Sequence, residues 1–162
     1  MPQTSIDPAT LTIRTARRAD VRRIASLILM GSATQTLSPE EIAKEAALPD
    51  YERAFEEVDA NADSTLFVVE RAGAVVGTWQ VTIIPGIAAR GRRRAKFESV
   101  HIAPECRGMG IGAHIIRHAL AFAKQQGAEL VELSSNKSRT DAHRFYRNLG
   151  FDQSHEGFKI VI

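Results

Sequence analysis

At 162 residues the chain is long enough for a sizeable core, and one domain spanning residues 1–162 is expected. Apolar residues make up 44% and charged residues 25%, an ordinary globular balance, and a net charge of +2 gives no general reason to expect a nucleic-acid partner. No apolar run reaches the roughly 18 residues of a membrane span, residues 1–5 lack a basic-then-apolar leader pattern, and the single Cys106 suits a reducing compartment, so a cytoplasmic protein without a membrane partner is expected.

Residues 11–14 read as a first strand. Asp20 can cap a helix with Val21, Ile24, Leu27 and Ile28 on one face, and Gly31 can end it. Ser38-Pro39-Glu40-Glu41 opens the next helix, with a Ser cap, Pro at the first helical position and Glu at the third. Pro49 interrupts that helix, and Asp50 can start another that carries Tyr51, Phe55 and Val58 inward. Its outer acids, Glu52, Glu56, Glu57 and Asp59, form either a solvated face or a negative rim that attracts an amine cation.

Residues 65–70 and 74–84 make a hairpin around Ala72-Gly73. A basic loop follows, Arg90-Gly91-Arg92-Arg93-Arg94, which is solvated or meets the phosphates of a cofactor or an acidic substrate. Residues 96–102 form a strand. The helix after it buries Ile111, Ile115, Ala119 and Phe122, flanked by Ile116 and Ala123, and stops at Gly127. Residues 129–134 form another strand and residues 141–149 a short helix. Residues 151–153 and 158–162 read as closing strands, so strands and helices alternate around one mixed sheet.

Between the strand at 96–102 and the long helix lies Arg107-Gly108-Met109-Gly110-Ile111-Gly112. Glycines let the backbone approach an anion, the unpaired N–H groups of a helix start point at it, and Arg107 adds charge-assisted hydrogen bonds. The residues leave several readings open. Ile111-Gly112-Ala113 does not supply the Gly-Lys-Ser/Thr ending of a Walker loop. A dinucleotide fingerprint can be laid on Gly108, Gly110 and Ala113 with Glu132 as the ribose acid, although only 50 residues follow Gly112. A third reading is a pyrophosphate loop for acetyl-coenzyme A, and a fourth is a helix-start turn with no ligand.

The stretch Glu98-Ser99-Val100-His101-Ile102-Ala103-Pro104-Glu105-Cys106-Arg107-Gly108-Met109-Gly110-Ile111-Gly112 resembles the central motif of the GNAT superfamily of acetyl-CoA-dependent N-acetyltransferases. Asn136, followed by Ala142, Tyr146 and Gly150-Phe151 at the family's spacing, resembles a second block of the same superfamily. The likeness covers residues 65–162, and its last third is most similar to bacterial small-amine acetyltransferases, including those acting on aminoalkylphosphonates. It implies an α/β (α+β) fold: a mixed, mostly antiparallel sheet of six to seven strands with a splayed central pair, flanked by about four helices. It also implies acetyl-CoA as cosubstrate and a small amine as acceptor, and such folds commonly form a homodimer.

By the same resemblance, the pantetheine arm lies in the splay and pairs with main-chain groups of Val100 and Ile102. The pyrophosphate sits on the N–H groups of Arg107, Gly108, Met109, Gly110, Ile111 and Gly112, together with Ala113. Asn136 and the helix holding Phe145 and Tyr146 flank the thiol end. Tyr146 matches the general acid that protonates the departing thiolate, and the Val100 N–H would polarise the acetyl carbonyl.

The acceptor amine must lose a proton, which costs ~4–5 kcal/mol at neutral pH for an amine of pKa about 10.4. Glu98, beside the splay, is the candidate base, directly or through water. His101 is the rival, although strand alternation points it to the opposite face unless a bulge intervenes. The five histidines show no metal-ligand spacing, and no metal is expected. Acetylation of a protein lysine or N-terminus is the alternative within the fold, and an acyl-CoA sensor without turnover is the alternative outside enzymology.

Overall fold

Two clusters of apolar side chains sit on opposite faces of one sheet, and strand alternation decides which residue joins which. The computed structural model describes residues 6–162, so residues 1–5, considered above for a leader pattern, lie outside the described residues. The strands are β1 (Leu11–Thr15), β2 (Ser64–Arg71), β3 (Ala74–Ile84), β4 (Arg94–Ile102) and β5 (Leu130–Leu133), in the spatial order β1-β2-β3-β4-β5. The first three neighbouring pairs are antiparallel and β4–β5 is parallel. The helices are α1 (Val21–Met30), α2 (Pro39–Glu45), α3 (Pro49–Ala60), the single turn α4 (Ala88–Gly91), α5 (Ile111–Gln125) and α6 (Thr140–Asn148).

On β2, Phe67 and Val69 face one way and Val68 the other. Phe67 and Val69 join Trp79, Val81, Phe97 and the buried face of α5, Ile111, Ile115, Ile116, Ala119 and Ala123. Trp79 stacks on Phe67 at 5.3 Å between ring centroids, and Phe122 and His118 meet Phe67 edge-on. Val68 packs on the other face with Ala16 and Ile24 of α1, and Phe55 of α3 closes over it. Arg14 links β1 to the start of α1 and to β2, bonding both Asp20 oxygens at 2.7 and 2.9 Å and the Glu70 carboxylate. Hydrogen bonds from Arg14 hold the Asp20 carboxyl below the ordinary carboxylate range, against the opposing effect of burial.

Local signals place several elements as expected. Ser38 Oγ accepts from the Glu41 N–H at 3.2 Å, and the Glu41 carboxylate accepts from the Ser38 N–H at 2.7 Å, which is the reciprocal cap that the sequence spells out. The β2–β3 hairpin turns on Ala72 and Gly73, both with positive φ (49° and 78°).

The element counts differ from expectation: the sheet has five strands among the described residues rather than six to seven, and six helices rather than about four flank it. Residues 151–162 form neither of the two expected closing strands, and Phe158, Ile160, Val161 and Ile162 are exposed. Their β-branched composition reflects a preference for a pleated, half-buried surface, which has no effect without a paired neighbour. The additional helices come from Pro49, which makes α2 and α3 separate, and from α4, one turn within the arginine loop. No helix among the described residues is long and apolar enough to cross a membrane.

Candidate active site

The chain leaves β4 at Ile102, turns through a 3-10 segment, Pro104–Cys106, and enters α5 at Ile111. Gly108 and Gly110 have φ of 74° and 84°, the left-handed region that side-chain-bearing residues avoid. Gly110 precedes the helix, and no side chain caps it. The N–H groups of Ile111, Gly112 and Ala113 therefore have no acceptor within the helix, and the positive end of the helix dipole lies on them. His114 is the first residue whose N–H bonds back, to the Gly110 carbonyl at 3.1 Å.

A Cβ on Gly112 would come within 3.2 Å of Phe145, so the missing side chain lets α6 close on the start of α5. Arg107 is exposed, and its Nε donates to the Ile102 carbonyl at 3.2 Å. Met109 is half-buried, and its carbonyl accepts from the Ile6 N–H. Bare amides, a dipole and an exposed guanidinium together make a cradle for a diphosphate.

Beside this cradle the sheet parts. Pairing between β4 and β5 runs from Arg94↔Leu130 to Phe97↔Leu133 and stops there, while β4 continues to Ile102 against β3. The main chain of Val100 and Ile102 thus lies beyond the last β5 partner. Within this stretch Ser99 has φ +51°, and the register shifts between Thr78 and Gln80, which marks a β-bulge.

The bulge settles the question left open about His101. Gln80 pairs with Glu98 and Thr78 pairs with His101, and residues 78 and 80 share a face of β3. Glu98 and His101 therefore share a face of β4 as well, the face covered by α1. The His101 ring packs against Gly31, where a Cβ would fall 2.0 Å from Nδ1.

The site's charges divide unevenly. Glu98 is half-exposed and paired with Lys96 at 2.9 Å. Burial pushes the His101 imidazole down to about 4, helped by the nearby positive charges of Arg139 and Arg107. Burial raises the Tyr146 phenol above its ordinary value, and Arg139 offsets part of that rise. Tyr146 meets Phe145 and Phe151 edge-on at 5.1 and 5.7 Å. Arg139, just before α6, thus bears on both groups. Sequence analysis does not single it out, because a lone Arg in a polar loop carries no periodicity or spacing.

His101 gives a stability prediction with a definite sign. Its folded value lies below that of the unfolded chain, 6.5, so the unfolded state takes up the proton first as pH falls. Stability should therefore drop between pH 6.5 and about 4, by at most ~3 kcal/mol. Urea midpoints across this window should fall more steeply for the parent protein than for His101→Gln. Parallel slopes would contradict the assignment. The Asp20 contribution is lost at lower pH, below its ordinary value of 3.8.

Two further residues from the sequence lie on the turn after β5 and beside the far end of β4. Asn136 is exposed, and its Oδ1 accepts from the Ser138 N–H at 2.9 Å and the Ser138 hydroxyl at 2.8 Å. Its carbonyl meets His143 Nε2 at 2.9 Å, so this residue shapes the turn between β5 and α6. Glu132 bonds Arg94 at 3.0 and 3.1 Å, at the opposite end of β4 from the glycine turn. That pairing removes the ribose-acid role from Glu132. It also places the arginine loop about 26 Å of strand away from the cradle, too far to meet a diphosphate there. The acids of α3 are partly occupied: Arg18 bonds Glu52 at 2.7 Å and Glu56 at 2.8 Å, which favours a solvated, paired face over a free negative rim. Among the described residues no cluster of His, Cys, Asp and Glu is arranged to hold a metal ion.

The family model described as Acetyltransferase (GNAT) family matches residues 32–151. The aminoalkylphosphonate N-acetyltransferase of Salmonella typhimurium is 44% identical over 63 residues, 39% of this chain and 41% of that protein. The chain spans less than half the length of the curated relatives it matches. Among solved structures, a protein titled transcriptional regulator from Bacillus halodurans C-125 superposes with a TM-score of 0.85 at 34% identity, over 94% of this chain and 99% of that one. A Clostridium acetobutylicum structure titled "predicted acetyltransferase with acetyl-CoA" has a TM-score of 0.71 over 93% of this chain and 96% of its own, and at 19% identity it speaks for the fold alone.

Proposed function

The chain belongs to the acetyltransferase (GNAT) family, and from that premise we propose that it transfers acetyl from acetyl-CoA to the primary amine of a small molecule. One observation carries the reading: β4 parts from β5 at Phe97, beside the point where left-handed glycines bare the first amides of α5. A thioester on a long arm, joined to a diphosphate, fits that pairing of slot and cradle. The diphosphate rests on the amides of Gly108 to Ala113 with Arg107 beside it, and the arm runs along Val100 and Ile102. Asn136 flanks its thiol end, and Phe145, packed on Gly112, borders the cradle.

The chemistry then needs one base, one acid and one carbonyl donor. Glu98 accepts the proton of the ammonium, directly or through water, and Lys96 holds its carboxylate in place. The free amine attacks the acetyl carbon, whose oxygen is held by the Val100 N–H. A C–N bond forms and the C–S bond breaks. Tyr146 donates its proton to the leaving sulfur, which departs as the free thiol of coenzyme A. His101 is buried, which keeps its imidazole neutral at pH 7.

Thiol release from acetyl-CoA in the presence of a panel of small amines and a lysine peptide tests the reading. Release with small amines is expected, and Glu98→Gln should lower kcat/KM about 100-fold with unchanged heat of CoA binding. Release with the peptide alone would replace the small-molecule acceptor by a protein one. A second reading is an acyl-CoA sensor without turnover, since the Bacillus halodurans relative is described as a transcriptional regulator. CoA binding with no release for any acceptor would favour it.

A further inference from the structure

The face of the sheet that carries Glu98 also carries a cavity of about 110 Å³ between α1, α3 and strands β2 to β4. Ile28, Phe55, Val58 and Leu66 line it, and Gln80 and Ser99 supply polar groups at the sheet. Ser99 is the left-handed bulge residue, directly before Val100, and Gln80 is the cross-strand partner of Glu98. The cavity therefore reaches the place where the acetyl carbonyl would be held. It is open on the α3 side, where Ala54 is exposed at its rim.

We propose that this cavity receives the apolar body of the acceptor, so that the preferred substrate is a primary amine bearing a short alkyl chain. The inference rests on the acetyl-transfer reading and names its substrate class. Its volume is somewhat below that of an apolar cavity that takes benzene, ~150 Å³. Both charged surfaces of the protein are partly occupied by internal ion pairs. Two of the α3 acids are held by Arg18, and Arg94 of the basic loop is held by Glu132 at the far end of β4. Half-buried apolar walls and a few polar groups at one end form a specificity pocket that orients the amine toward Glu98.

The test measures kcat/KM by thiol release for unbranched amines from ethylamine to hexylamine and for aminomethylphosphonate. The value should rise about fourfold per added methylene until the cavity is filled, and aminomethylphosphonate should be a poor acceptor. Ala54→Phe should flatten the chain-length series while the heat of CoA binding stays that of the parent protein. Turnover with no chain-length dependence, a preference for aminomethylphosphonate, or CoA binding without turnover of any alkylamine would each overturn the pocket assignment. Absence of CoA binding would instead overturn the acetyl-transfer reading beneath it. The chain-length series on the parent protein decides the matter even if the variant fails to fold.

Discussion

Gly110→Asp is expected to raise the Kd for CoA at least 100-fold while leaving the fold intact. Gly110 has φ 84° and stands immediately before α5, next to the bare amides of its first turn. Asp tolerates the left-handed region better than most residues, which keeps the backbone cost small. The main effect is a carboxylate placed where the diphosphate rests. Two like charges about 4 Å apart at an effective dielectric constant of about 20 repel by ~4 kcal/mol, and 100-fold in Kd needs only ~2.7 kcal/mol. Gly73→Asp is the control. Gly73 has a similar φ of 78°, lies in the β2–β3 turn and has open space around it. Both variants should lose similar stability to urea, and only Gly110→Asp should lose CoA binding by calorimetry. Similar affinity in both would separate the glycine turn from the cofactor.

Tyr146→Phe should lower kcat by about 100-fold or more without changing the Kd for CoA. The substitution keeps the ring, and with it the edge-on contacts to Phe145 and Phe151, so the fold loses only the hydroxyl. Burial raises the phenol above its ordinary value near 10, so it holds its proton at neutral pH and can give it to sulfur. A CoA thiol needs modest help to leave, which sets the effect at the lower end of the general-acid range. Unchanged kcat would make Tyr146 a packing residue and leave the thiolate to depart without a proton from it.

The parts of this protein readable from sequence are those fixed by local rules. Ser38 and Glu41 cap each other because of their spacing alone, and Gly110 can be assigned a helix start because its neighbours switch from strand to helix periodicity. The buried face of α5 follows from the same periodicity. What the sequence hides depends on partners far along the chain. Ser99 gives no sign that it adopts a left-handed bulge, because that conformation is imposed by the register against β3, and the bulge decides that His101 joins Glu98 on one face. Arg139 gains its influence on His101 and Tyr146 only when the turn after β5 folds over the end of β4. Residues 158–162 look like a strand by composition and are exposed without one, since pairing cannot be read from one side of a pair. The cavity under α3 arises from five elements that meet across more than 70 residues of sequence, and no single element announces it.

Backbone amide shifts during titration with CoA test the central claim most directly. The amides of residues 108–113 and of Val100 and Ile102 should move together, saturate at one stoichiometry and gain protection from hydrogen exchange, while Ala88–Gly91 and its arginine neighbours stay unchanged. Shifts confined to the arginine loop, or none around α5, would contradict a diphosphate held at that helix start.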